Sequence, residues 1–82
     1  MRENKQEIMD KLCEAIRLTS AGGNMYGNNA LKKLEFIPDR EIVRPIFEDG
    51  TGSDGYYDVN VACDSGIAMI MDVVKQFVMK MW

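Results

Sequence analysis

Between Tyr56 and Trp82 the chain changes its hydrophobic period once. Tyr57, Val59, Val61 and Cys63 alternate with Asp58, Asn60 and Ala62, a period of two that marks a strand with one buried face. Past Asp64-Ser65 the apolar residues recur at helical spacing: Ile67, Ile70, Met71, Val74, Phe77, Val78 and Met81, with Val73 widening the stripe. Asp64 or Ser65 is placed to accept hydrogen bonds from the open amides of the first helical turn, so strand and helix join with almost no linker. Met69 and Met79 fall beside Asp72, Gln76 and Lys80, and the spacing puts them on the solvent side.

The same reading extends upstream. A helix is expected from Asn4 to Ser20, with Ile8, Leu12, Ala15, Ile16 and Thr19 on one face and Glu7, Asp10, Glu14 and Arg17 largely on the other. Gly22-Gly23 supplies its C-terminal stop. The Asn24 to Asn29 stretch has loop composition, with Met25 and Tyr26 either sealing the core under the loop or forming a recognition tip. Leu31 to Ile37 fits a helical turn through Leu31 and Leu34, and a strand through Leu34 and Phe36. The strand is preferred, because Pro38-Asp39-Arg40 reads as a turn into the β-rich Glu41 to Glu48.

In that second strand Val43, Pro45 and Phe47 share one face, and Ile42, Arg44 and Ile46 the other. Arg44 marks the second face as the outer one. Proline cannot donate to a ladder, so Pro45 is expected at an edge or a bulge. Glu48 to Gly55, EDGTGSDG, is a turn-forming run with three glycines, which makes a long-loop β-hairpin of the flanking strands. The expected fold is α+β: a two-layer sandwich in the order helix, strand, strand, strand, helix, with a three-stranded antiparallel sheet and both helices on one face. Residues 1–82 form one domain.

Composition narrows the chemistry. A domain of 82 residues buries only about 60 % of its unfolded surface, so its stability should be modest. The longest apolar run, Ile67 to Met71, is far short of the roughly 20 residues of a membrane span. The charged N-terminus lacks the apolar region of a signal peptide, and a cytoplasmic protein is expected. Cys13 and Cys63 are then expected as free, buried thiols. The chain has no histidine, which excludes Ser-His-Asp, Cys-His and H-E-x-x-H chemistry. A net charge of −3 disfavours a broad phosphate-binding surface and direct nucleic-acid binding.

The candidate sites follow from what is left. Glu48, Asp49, Asp54 and Asp58 gather around the hairpin loop beside Tyr56. Counted from Asp49, a calcium loop would need glycine at Asp54 and a carboxylate at Asn60, and both are wrong. Asp58 and Asp64, six apart on one strand, stand about 20 Å from each other, too far to act as acid and base. Gly22-Gly23 follows a helix C-terminus, whose dipole repels phosphate, and the helix opening at Ser65-Gly66 has no following lysine. No catalytic residue, metal site or cofactor is expected. The outer sheet face, where Ile37, Ile42 and Ile46 meet Arg44, Asp58 and Asn60, is a second candidate surface.

The segment VNVACDSGIAMIMDVVKQF, from Val59 to Phe77, resembles the C-terminal part of small accessory domains carried by phages and conjugative elements. The likeness runs from the Glu48-Asp49-Gly50 turn through the D-S-G-x-A-M-I-x-D-V-V segment. It implies a mobile-element setting and no reaction. Small acidic proteins of that setting often act by binding, inhibitors of defence nucleases such as anti-CRISPR proteins among them. The expectation is a non-enzymatic protein-binding module whose acidic hairpin loop engages another protein, basic or nucleic-acid-binding. The alternative is a structural or regulatory homodimer joined through the outer sheet face. The expected binding residues are Glu48, Asp49, Asp54, Tyr56, Asp58, Arg44, Ile42 and Ile46.

Overall fold

The computed structural model describes residues 4–19 and 30–80. The glycine stop at 22–23, the 24–29 loop with Met25 and Tyr26, and Met81 lie outside the described residues.

Helix α1 spans Lys5–Leu18. Asn4 caps it, its Oδ1 accepting the Glu7 amide at 2.9 Å, while Glu7 in the first turn and Arg17 in the last complement the helix dipole. Met9, Cys13 and Ile16 are buried. Ile8 and Leu12 only flank that core, and Ala15 and Thr19 are exposed. The buried face is therefore rotated from the one expected, and Gln6 shows why. Its Nε2 donates to the Leu34 carbonyl at 3.0 Å and its Oε1 accepts the Phe36 amide at 2.8 Å, so the α1 flank that the pattern would leave in water is held against the sheet edge.

Strand β1 is Leu31–Ile37, as expected. A register shift between Leu31 and Lys33 lets Leu31 and Leu34, three apart, both reach full burial. The turn at Pro38–Arg40 closes on Glu41 at φ +54° and leads into β2, Ile42–Phe47. Strand β3 is Val59–Asn60, and the antiparallel sheet runs β1-β2-β3. The inner face of β2 is as expected, with Val43, Pro45 and Phe47 buried.

Pro45 is not on an edge strand: β2 is central. The ladder with β3 involves only Ile42 and Val43, opposite Asn60 and Val59. Beyond them β2 has no strand neighbour on that side among the described residues, so the missing proline amide leaves no gap in a ladder. The expected Tyr57 to Cys63 alternation survives as burial, with Val59 and Val61 in the core and Tyr57 and Cys63 packed against it. As a paired strand it shrinks to two residues, extended by one bond from the Val61 amide to the Glu41 carbonyl at 3.0 Å.

Helix α2 covers Gly66–Val73 and continues as a π-helical turn over Val74–Val78. Ser65 is its cap, the hydroxyl accepting the Ala68 amide at 3.1 Å. Its face is also rotated. Met69, expected outside, is fully buried beside Val73, Phe77 and Val78, which are inside as expected, and Met79 is exposed as expected; Ile67 and Met71, expected inside, are 67 % and 49 % exposed. Asp72 and Gln76 hold this orientation. Asp72 Oδ2 accepts the Ala62 amide at 2.8 Å and Gln76 Nε2 donates to the Asn60 carbonyl at 3.0 Å.

α1 packs on the sheet over β1, and α2 contacts α1 and β3. One core joins Met9, Cys13 and Ile16 to Leu31, Leu34, Val43, Phe47, Met69, Val73 and Phe77. No helix among the described residues is long and apolar enough to cross a membrane.

The rotation of α2 has a direct check by urea denaturation. Met69→Ala should cost about 2–5 kcal/mol through the cavity it leaves. In protein dilute enough to be monomeric, Ile67→Ala should change stability by no more than about 0.5 kcal/mol; the reverse order would mean the helix packs through the other stripe.

Candidate functional site

The loop from Glu48 to Asp58 is built from successive turns. The amides of Gly50, Ser53, Gly55 and Asp58 donate to the carbonyls of Phe47, Gly50, Gly52 and Gly55 at 2.9–3.1 Å. The Phe47 amide donates to Thr51 at 2.9 Å, and the Glu48 amide ties the loop to Ala30 at 2.9 Å. The loop thereby folds over the side of β2 that β3 leaves open. Gly52 has φ +90°, and a Cβ there would stand 2.3 Å from the Pro45 carbonyl oxygen. Only glycine permits both that conformation and that approach.

The carboxylates are largely parts of this scaffold. Asp49 Oδ1 accepts the Thr51 amide at 2.8 Å and Asp54 Oδ1 accepts the Tyr56 amide at 3.0 Å, each stabilising its own turn two residues on. Glu48 pairs with Arg17 at 3.0 Å, while the same guanidinium donates to the Leu31 carbonyl at 3.0 Å. Asp58 and Arg44 form a two-pronged ion pair, with Nε to Oδ1 at 2.9 Å and Nη2 to Oδ2 at 3.1 Å. Its side chains are only 19 % and 23 % exposed. That hydrogen bond, with the charges of Asp58, Glu35 and Asp54, holds the Arg44 pKa above its ordinary value. Gly55, at φ +91°, lies against the pair, its Cβ position 2.9 Å from Asp58 Oδ2.

Tyr56 is the large aromatic side chain of the loop that faces outward. Its side chain is 80 % exposed, and its ring stands edge-on to Tyr57 with centroids 4.9 Å apart. Tyr57 in turn meets Phe47 and Phe77 at 5.7 and 6.3 Å, so the exposed ring is braced by aromatic residues rooted in the core. Beside it opens a shallow pocket of about 280 Å³ lined by Tyr57, Asp58, Gln76 and Lys80 among others.

The structure thus joins Glu48, Asp49, Asp54, Tyr56, Asp58 and Arg44 around one loop. Ile42 and Ile46 do not form the exposed patch expected of the outer sheet face. Ile42 is 7 % exposed, flanked in register by Ile37 on one side and Asn60 on the other, and Ile46 is half-buried opposite Lys33.

The open apolar surface lies on the helices instead. Ile8 and Leu12 of α1 and Ile70 of α2 line a groove of about 370 Å³, with Glu7 and Lys11 on its rim. Ile67 and Met71 project beside Ile70. The signal for this was present in α2, whose first two turns are apolar on nearly every side with Asp72 the one charge. Cys13 is buried and Cys63 half-buried, both as free thiols, and burial pushes the Cys13 thiol above its ordinary 9.0. Among the described residues no three Cys, Asp or Glu side chains come together as metal ligands. Comparison with protein-family models, with curated proteins and with solved structures found no match.

Two outcomes check this geometry. In urea melts Gly52→Ala should cost more than about 2 kcal/mol, because a carbonyl oxygen cannot step aside. Gly55→Ala should cost less, because the atoms it meets are side-chain ends. A thiol reagent should label Cys63 in the native protein and Cys13 only on unfolding. The raised Cys13 value makes folding stability fall as pH climbs from 9.0 towards that value, and Cys13→Ala should flatten that alkaline slope.

Proposed function

We propose that the protein is a non-enzymatic protein-binding module that uses the 48–58 loop to engage a basic surface on its partner. The observation that carries this reading is the 80 % exposed ring of Tyr56 on a loop whose backbone is pinned by its own turns. A rigid, exposed tyrosine contributes contact area with little ordering entropy to lose, which is what interface anchors have in common. Asp49 and Asp54 are exposed on the same loop and add negative charge that steers a basic partner towards it; Glu48 contributes less, because Arg17 already pairs with it.

The test separates charge from loop shape. Asp49→Asn and Asp54→Asn keep the side-chain oxygen that each turn requires and remove the charge. Immobilised wild-type protein should retain a basic partner from cell extract at low salt and release it as salt rises. Tyr56→Ala should weaken that partner by about 30-fold, the effect of a residue contributing 2 kcal/mol. The Asn pair should slow association and flatten the salt dependence. Retention equal across all three proteins would overturn the reading.

A further inference from the structure

A helix that is apolar on nearly every side is normally buried on nearly every side, and among the described residues α2 leaves one apolar flank, with Ile67 and Met71 on it, uncovered. Gly66, Met69 and Val73 face the core, while Ile67, Ile70, Met71 and Val74 run up the neighbouring flank, with Ile70 and Val74 half-buried at its inner border and Ile67 and Met71 exposed. That flank continues across the groove onto Ile8 and Leu12 of α1. The result is one apolar strip spanning both helices, with the projecting side chains of Ile67 and Met71 next to a depression. A projection and a depression side by side on one face is the arrangement a two-fold contact requires, since each copy must supply both halves of the fit.

The charges on the rim select the occupant. Glu7 and Lys11 stand one turn apart on α1, both exposed and of opposite sign. An antiparallel second copy of α1, with its two-fold axis level with the turn between them, sets Glu7 against the second copy's Lys11 and Lys11 against the second copy's Glu7. Among the described residues Lys11 has a loose contact with Glu14, at 3.6 Å between side chains 70 % and 67 % exposed, which is weak in water and readily exchanged. We infer that the apolar strip of α1 and α2 is the interface of a homodimer in which the helical layers of two copies stack face to face. This surface lies on the helices, apart from the Tyr56 loop, so each copy in the dimer keeps its loop open.

Sedimentation of the full chain across micromolar to millimolar concentration tests this. The expected result is a reversible shift to twice the chain mass. Ile67→Glu and Met71→Glu, both at exposed positions, should give monomers with unchanged circular dichroism. Glu7→Lys and Lys11→Glu should each weaken dimerisation by about 10-fold by opposing like charges, and the two together should restore it. Asp49→Asn with Asp54→Asn should leave the dimer intact, which keeps a failure of the loop reading distinct from a failure of this one. A strict monomer at all concentrations, a dimer indifferent to Ile67→Glu and Met71→Glu, or a double charge swap no better than the singles would overturn the inference.

Discussion

Both edges of the small sheet are closed by helix side chains, and much of the molecule's arrangement follows from that. A three-stranded sheet leaves an unpaired carbonyl and amide along each outer strand, and in so small a domain such edges invite pairing with other chains. Here the carbonyl of Leu34 and the amide of Phe36 both bond the side-chain amide of Gln6, which stands in for the peptide group of a missing strand. On the other edge Gln76 and Asp72 take the carbonyl of Asn60 and the amide of Ala62. Arg17 adds the Leu31 carbonyl to the first set.

These contacts fix how each helix is turned about its axis. With Gln6 held at the β1 edge, Met9, Cys13 and Ile16 point into the core. With Asp72 and Gln76 held at the β3 edge, Met69, Val73 and Phe77 do the same. Since the two helices are anchored at opposite edges, their other flanks are turned towards each other and outward. Ile8 and Leu12 from one side and Ile67, Ile70 and Met71 from the other then form a shared apolar surface. The π-helical turn belongs to the same scheme: it adds a residue to the last turn, so that Phe77 and Val78 are both buried while Gln76 still reaches the strand.

The hairpin loop obeys a different constraint. It covers the side of β2 that the two-residue β3 leaves without a strand among the described residues, and it does so through short-range turns. Most of its polar groups serve those turns, which leaves Tyr56 as the large side chain directed at solvent. Arg44 and Asp58 join the loop's end to the outer face of the sheet. Acidic composition marked the loop as a surface feature, but the division between carboxylates that shape it and a ring that projects from it depends on which amides lie two residues on.

Local pattern in the sequence was sufficient for what local chemistry controls: the order of elements, the antiparallel hairpin, a helix cap at Asp64 or Ser65 and the inner face of β2, where strand alternation admits one solution; the structure chose Ser65 as the cap. It was insufficient wherever two apolar faces compete. Leu31 and Leu34 satisfy helical spacing, and only the bulge beside Lys33 lets a strand bury both. α2 carries apolar residues nearly all round, so periodicity could not say which stripe faces inward. That choice belongs to Gln6, Asp72 and Gln76, whose partners lie from 10 to 30 residues away in the chain. Hydrophobic period is a property of neighbours in sequence, whereas the satisfaction of a sheet edge depends on residues brought together by folding. The sequence alone therefore determined that this is a small α+β domain, and the tertiary structure decided which of its apolar faces remain open to a partner.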